Sequence, residues 1–417
     1  MKHLIIGSGI AGIQAAETIR SMDVNCSITL IGGENFLPYS RPMIGMLLEG
    51  SISPENMVIR QEEFFDSLRI DHVMGEWVQQ IDLDNRRAST DKGKTYSFDR
   101  LLVATGADPR VIDVDGCHLR NIFHMRNEKH VTQISQSLSK AKNALVVGCG
   151  LGGLKAAQAF LHRGLTVTVV EKLNHPLPLV VDSKAGELIS HELQNIGLEV
   201  KISSEVLSFD GNGKVKEAHL SDGSRISCDI VVVAIGFHPA VSFIPPETIN
   251  VNMGIPVNRY LETNVRGIYA AGDVAECTDI VHNEKRANAM WPVAAEQGVT
   301  AGMNMAGRKV AYKGSLGRNV FRIGDTDILA GGLVDPLPDE TYTVYTSEDQ
   351  RRKTYRKLLF REDILVGVVM VNAIEQGGVL LSLIHQQIPV TIPKENLLKH
   401  SFNLFQLLPR MQMDLRP

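Results

Sequence analysis

The sequence predicts an α/β fold: two Rossmann-like dinucleotide-binding units followed by a C-terminal α+β domain. Three observations carry that expectation. Gly7-Ser8-Gly9-Ile10-Ala11-Gly12 follows the apolar run Leu4-Ile5-Ile6, and the same spacing recurs as Gly148-Cys149-Gly150-Leu151-Gly152-Gly153 after Ala144-Leu145-Val146-Val147. Beyond about Ser315 the nucleotide pattern stops and strand-like alternation takes over.

The first element is the glycine loop. Its first glycine permits a tight strand-to-helix turn, its second lets backbone approach a pyrophosphate, and its third allows close helix–strand packing. The helix that follows offers free N–H groups and a positive dipole end to phosphate. Such a site also needs an acidic residue about 20 positions on, at the end of the next strand, for ribose hydroxyls. The spacing predicts helix Ile10–Ser21, strand Ser27–Ile31 and then Glu34. In the second copy it predicts helix Leu151–Arg163 and strand Thr166–Val170, ending at Glu171.

The remaining elements follow from local pattern. A helical stretch is expected over Glu55–Ser67, then strands Val73–Gln79 and Arg87–Ser89, and a return strand Phe98–Thr105. The second unit contains hairpin segments broken at Asp210-Gly211-Asn212-Gly213 and Ser221-Asp222-Gly223-Ser224. Its return strand, Cys228–Ile235, is nearly all apolar, as in a buried parallel sheet, and ends at Gly236. A helix over Pro292–Ala306 carries proline at its favoured first position. Strands are expected at Asn319–Ile323, Thr341–Tyr345, Lys353–Phe360 and Ile364–Val371, then a helix Ala373–Gln387. The apolar tail includes Leu397, Leu398, Phe402, Leu404, Phe405, Leu407 and Leu408. Such surface folds back on its own domain, forms a homodimer or docks a partner.

Composition sets the bounds. With 417 residues the chain exceeds a single core, so two or three domains are expected. A net charge of −4 gives no electrostatic case for nucleic-acid binding. The sequence shows no apolar stretch of about 18 uncharged residues for a membrane span, and its first strand starts too early for a signal peptide, so the cytoplasm is the expected compartment. The five cysteines show no CxxC pairing, which argues against a dithiol, an iron–sulfur ligand set or a zinc knuckle. Cys149 is expected as a small packed residue.

With these motifs the chain resembles the two-dinucleotide flavoproteins of the pyridine nucleotide-disulfide oxidoreductase superfamily. It is most similar to the NADH:rubredoxin reductase and nitrite-reductase flavin-domain branch, alongside oxygenase-coupled ferredoxin reductases. The resemblance rests on both glycine loops, on Gly33-Glu34-Asn35-Phe36-Leu37-Pro38-Tyr39-Ser40-Arg41-Pro42, and on Ala104-Thr105-Gly106. It continues through Glu171, Ala234-Ile235-Gly236 and Ala271-Gly272-Asp273. It implies that one nucleotide domain is inserted in the other. Residues 1–110 and 237–315 would hold FAD, residues 111–236 NAD(H), and residues 316–417 would form an interface domain.

Roles follow by resemblance. Gly7, Gly9, Ile10, Ala11 and Gly12 cradle the FAD pyrophosphate, and Glu34 binds the adenosine ribose. Arg41 and Pro42 lie along the flavin, with Thr105 and Gly106 nearby, while Gly272 and Asp273 reach the ribityl chain or pyrophosphate. Trp291-Pro292 starts a helix aimed at the pyrimidine end of the flavin. Gly148, Gly150, Leu151, Gly152, Gly153 and Gly236 belong to the NAD(H) side. Glu171 argues for NADH, because a carboxylate repels a 2′-phosphate; Lys172 is the competing cation.

Three departures sharpen the expectation. Pro42 stands where the peroxidase, oxidase and coenzyme-A-disulfide branches place a nucleophilic cysteine, so thiol chemistry at the flavin is not expected. Met46 replaces a lysine usually found beside the flavin, and Lys155 replaces a glutamate. Lys155 is therefore either a positive charge near flavin N5 or a solvated helix lysine. The resemblance implies hydride transfer from NADH to FAD and onward electron transfer to an external protein: rubredoxin, ferredoxin or an iron–sulfur subunit. An electron-entry subunit of a metalloenzyme such as an aldehyde oxidoreductase, and a membrane-surface NADH:quinone reductase, are the competing functions.

Overall fold

The computed structural model describes residues 1–336 and 341–407. They fall into two compact units: residues 1–110, 126–131 and 236–315 in one, and residues 111–125, 132–235 and 316–407 in the other.

The first unit is built on a five-stranded parallel sheet. Lys2–Ile6 lies at its centre, between Arg100–Val103 and Ser27–Gly32, with Ile268–Ala270 and Ile70–Met74 outside. The strand segments Leu4–Ile6, Leu30–Ile31 and Leu101–Val103 are apolar and buried, as in a covered parallel sheet. Helix Ile10–Met22 packs closely on helix Trp291–Met305. A Cβ at Gly298 would lie 2.3 Å from the Ala11 carbonyl oxygen, so glycine is required at this contact.

The second unit repeats the plan. Asn143–Val147 is central, flanked by Ile230–Val233 and Thr166–Val170, with Ile122–His124 and Glu199–Lys201 outside. Strand order and direction match the first sheet position for position, so the sequence repeat is also a repeat of architecture. The C-terminal part is a five-stranded antiparallel sheet with helix Gly377–Gln386 against it.

Several expected elements shift. The helix over Glu55–Ser67 divides into a turn of 3-10 helix, Pro54–Met57, and a helix, Glu62–Ser67. Between them Val58 bridges to Tyr39, and the Ile59 N–H donates to the Pro38 carbonyl (2.8 Å), which interrupts the helical ladder. The strand over Val73–Gln79 breaks at Gly75–Trp77 into Ile70–Met74 and Val78–Asp82. The helix from Ala373 begins only at Gly377, after Asn372 at φ +56° turns the chain. Strand Thr326–Gly332 was not anticipated.

The described tail folds back on its own unit. Leu397, Phe402 and Leu407 are buried, whereas Phe405 is 77% exposed. Buried Arg356 donates to the Leu398 carbonyl (3.0 Å), and Gln376 to the His400 carbonyl (2.6 Å). Leu408 lies outside the described residues.

Candidate functional site

The two glycine loops are built alike. The Gly7 N–H donates to the Ile31 carbonyl and the Gly148 N–H to the Val170 carbonyl, both at 2.8 Å. Gly12 has no room for a side chain, since a Cβ there would lie 2.0 Å from the Gly7 carbonyl oxygen; at Gly153 the distance to the Gly148 carbonyl oxygen is 1.9 Å. By contrast, a Cβ at Gly9 or Gly150 would meet nothing within 4 Å. These two glycines cap their helices with no side-chain hydrogen bond. The third glycine is thus required by the fold, and the second faces open space at the start of its helix. A pyrophosphate fits that arrangement. Ile10 and Leu151 open the two helices, Ala11 is buried, and a Cβ at Gly152 would also meet open space.

In the first unit the expected FAD residues converge, together with one that the motifs did not mark. Glu34 lies just past strand Ser27–Gly32 and pairs with Arg41. The Tyr39 hydroxyl donates to Glu34 (2.8 Å) and accepts the Glu128 N–H (3.0 Å); burial holds this phenol protonated. Arg41 also donates to the Arg126 carbonyl (3.2 Å), and Pro42 follows it in a 3-10 turn. Arg126 forms an ion pair with Asp273 (2.7 Å) and lies over the Phe237 ring. Arg126 carries little sequence signal because it belongs to no glycine motif; the only hint is that Asp273 needs a counter-charge.

The Ala-Gly-Asp turn has a second unmarked support. Gly272 sits at φ +83°, and its N–H donates to the side chain of fully buried Gln297 (2.7 Å). The helix carrying Gln297 starts at Trp291-Pro292, and no side chain caps that end. The Thr105 hydroxyl donates to the Ala240 carbonyl (2.7 Å), Gly106 accepts from the Ala240 N–H (3.1 Å), and Gly236 accepts from the Arg110 N–H (3.0 Å).

In the second unit Glu171 stands at the end of its strand, buried. One carboxylate oxygen accepts the Cys149 N–H (2.7 Å) and the other the Leu173 N–H (2.9 Å). Each oxygen keeps a further lone pair for a hydroxyl. Cys149 is fully buried, and burial pushes its thiol up to about 12, so it is inert packing as expected. Lys172 pairs with Glu205 (2.8 Å). Lys155 is exposed on helix Leu151–His162, yet surrounding protein desolvates its ammonium enough to lower its pKa.

These features define a flavoprotein class with two dinucleotide cradles in one chain. The family described as pyridine nucleotide-disulphide oxidoreductase matches residues 1–298, and the chain belongs to it. Its members are flavin-dependent NAD(P)H oxidoreductases, which sets FAD and a nicotinamide dinucleotide as the cofactors.

The chain is 28% identical to the assimilatory nitrate reductase electron transfer subunit of Bacillus subtilis, over 97% of this chain and 52% of that protein. It is 27% identical to subunit epsilon of the NADH-dependent phenylglyoxylate dehydrogenase of Aromatoleum evansii, over 94% and 93%. The fold matches the ferredoxin reductase for the CYP199A2 system of Rhodopseudomonas palustris with a TM-score of 0.86, at 24% identity over 97% and 99%. The chain spans about half the length of the Bacillus subtilis proteins it matches. Among the described residues, no helix is long and apolar enough to cross a membrane.

Proposed function

We propose that this protein carries electrons from NADH, through FAD seated in the first cradle, to an external redox protein. Residues 1–110 and 237–315 hold FAD, with residues 126–131 packed in the same unit so that Arg126 belongs to this seat; the rest of residues 111–236 hold NADH, and residues 316–417 face partners. The observation that carries this reading is the pair of open cradles, each followed by a carboxylate at the end of the next strand. Bound FAD would supply acceptance of hydride from the nicotinamide and onward electron transfer.

The chain's own residues do the rest. Gly9 and Gly150 leave room for pyrophosphate, Arg41 and Arg126 bring positive charge to the first seat, and Glu34 takes ribose hydroxyls. The uncapped start of helix Trp291–Met305 favours negative charge near it. Glu171 favours NADH because its buried carboxylate repels a 2′-phosphate, and Lys172 is held by Glu205. Cytoplasmic location is part of this proposal.

Anaerobic titration of the purified, flavin-loaded protein tests it. One equivalent of NADH is expected to bleach the flavin absorbance, and NADPH to do so at least about tenfold less effectively. Protein without flavin, or equal response to both nucleotides, overturns the corresponding half of the reading.

Lys155 is proposed to supply positive charge that favours reduced flavin. Lys155→Met is expected to lower the flavin midpoint potential by about 30 mV, equivalent to ~1.4 kcal/mol for a two-electron couple. An unchanged potential leaves Lys155 a solvated helix residue.

A second reading has its own support, the match to almost the full length of a dehydrogenase subunit. In it the protein is the electron-entry subunit of a larger metalloenzyme, and co-purification with a metalloprotein separates the two.

A further inference from the structure

We propose that Trp77 is the platform on which the adenine of FAD stacks. The inference rests on reading the first cradle as the FAD seat. After strand Ile70–Met74, the Gly75 N–H donates to the Glu34 carbonyl (3.2 Å) and the Glu76 N–H to the Gly32 carbonyl (3.3 Å). Residues 75–77 therefore run beside the loop that carries Glu34.

The orientation of the indole follows from Gly33. A Cβ at Gly33 would lie 2.6 Å from both Cδ2 and Cε2 of Trp77, and 2.8 Å from Cε3. Cδ2 and Cε2 are the carbons shared by the two indole rings. A neighbour reaches both at that distance only from above the ring plane, so one face of Trp77 lies on the bare backbone of Gly33. Trp77 is nevertheless 58% exposed, which leaves its other face in solvent.

The platform is rigid. The Trp77 N–H donates to the Asp91 carboxylate, and its carbonyl accepts the Asp91 N–H, both at 2.9 Å. Preceding Glu76 is buried and takes Thr90 (3.0 Å), Lys94 (2.6 Å) and Tyr96 (3.2 Å). A ribose held by Glu34 carries its adenine on the carbon next to the 2′-hydroxyl, so the base falls close to the carboxylate. A fixed, half-exposed aromatic face beside Glu34 is what a purine stacks on.

The test uses the full chain stripped of flavin, with ADP as probe and tryptophan emission as readout. The chain has two tryptophans, Trp77 and Trp291. ADP is expected to quench emission saturably, and Trp77→Phe to abolish the quench while FAD affinity stays near wild type. Trp77→Ala is expected to weaken FAD about tenfold. A quench that persists in Trp77→Phe, or unchanged FAD affinity in Trp77→Ala, overturns the platform. Wild-type protein that takes up no FAD overturns the reading of the cradle itself, a result distinct from tight FAD binding indifferent to residue 77.

Discussion

Alanine at Gly12 is expected to destabilise the first unit strongly, whereas alanine at Gly9 should leave a folded protein without flavin. The two positions lie in one turn, and their surroundings separate the effects. The Gly12 Cβ would overlap the Gly7 carbonyl oxygen at 2.0 Å, a backbone atom that cannot move without opening the turn between the central strand and its helix. Overpacking of this kind costs about 1–3 kcal/mol, and more where backbone is the obstacle. At Gly9 the new methyl meets no protein atom, so stability should stay within ~0.5 kcal/mol of wild type. The methyl would instead occupy phosphate space, and FAD should be lost on gel filtration. Thermal melting and the flavin-to-protein absorbance ratio read both effects. Tight flavin binding by Gly9→Ala would mean that the open space is not the phosphate site.

Replacing Asp182 by alanine is expected to be the most destabilising polar substitution in the second unit, at about 3–5 kcal/mol. This buried carboxylate does three jobs. It caps helix Ser183–Asn195 by accepting the Ala185 N–H (3.1 Å), it accepts the Tyr355 hydroxyl (2.7 Å), and it pairs with Lys357 (2.9 Å). Lys357 is itself buried, and its other partner, Asp335, is largely exposed, so alanine at 182 leaves a cation poorly compensated. Asp182→Asn keeps the cap and a partner for Tyr355, so its loss should be smaller. Urea unfolding with an unchanged slope measures both; a loss below ~1 kcal/mol in Asp182→Ala would falsify the assigned role.

Both cradles were legible in the sequence because their requirements are local. Gly7, Gly9 and Gly12 are constrained by backbone a few residues away, and a strand-ending carboxylate follows at a distance set by one helix and one strand. The supports of the seat were not legible in the same way. Arg126 and Gln297 act on Asp273 and Gly272 across long sequence separations, and neither residue type is diagnostic there. The expected helix over Glu55–Ser67 failed for a related reason: Val58 found a tertiary partner in Tyr39, which outweighed local helix propensity. Strand Thr326–Gly332 carries little period-two signal, being a brief apolar run ending in glycines. In the tail, burial of Leu397, Phe402 and Leu407 depends on a sheet whose packing no local pattern announces.

The arginine partners in the first unit bear on how charge is balanced there. Glu34 and Asp273 each have an internal cation, Arg41 and Arg126, so neither carboxylate nor guanidinium depends on a nucleotide for neutralisation. On the function proposed above, a pyrophosphate entering this seat would exchange partners, the guanidiniums turning from carboxylate to phosphate and the carboxylates from guanidinium to hydroxyl. On that reading the flavin-free protein is expected to keep the circular dichroism of the loaded protein, and a lost helical signal counts against it.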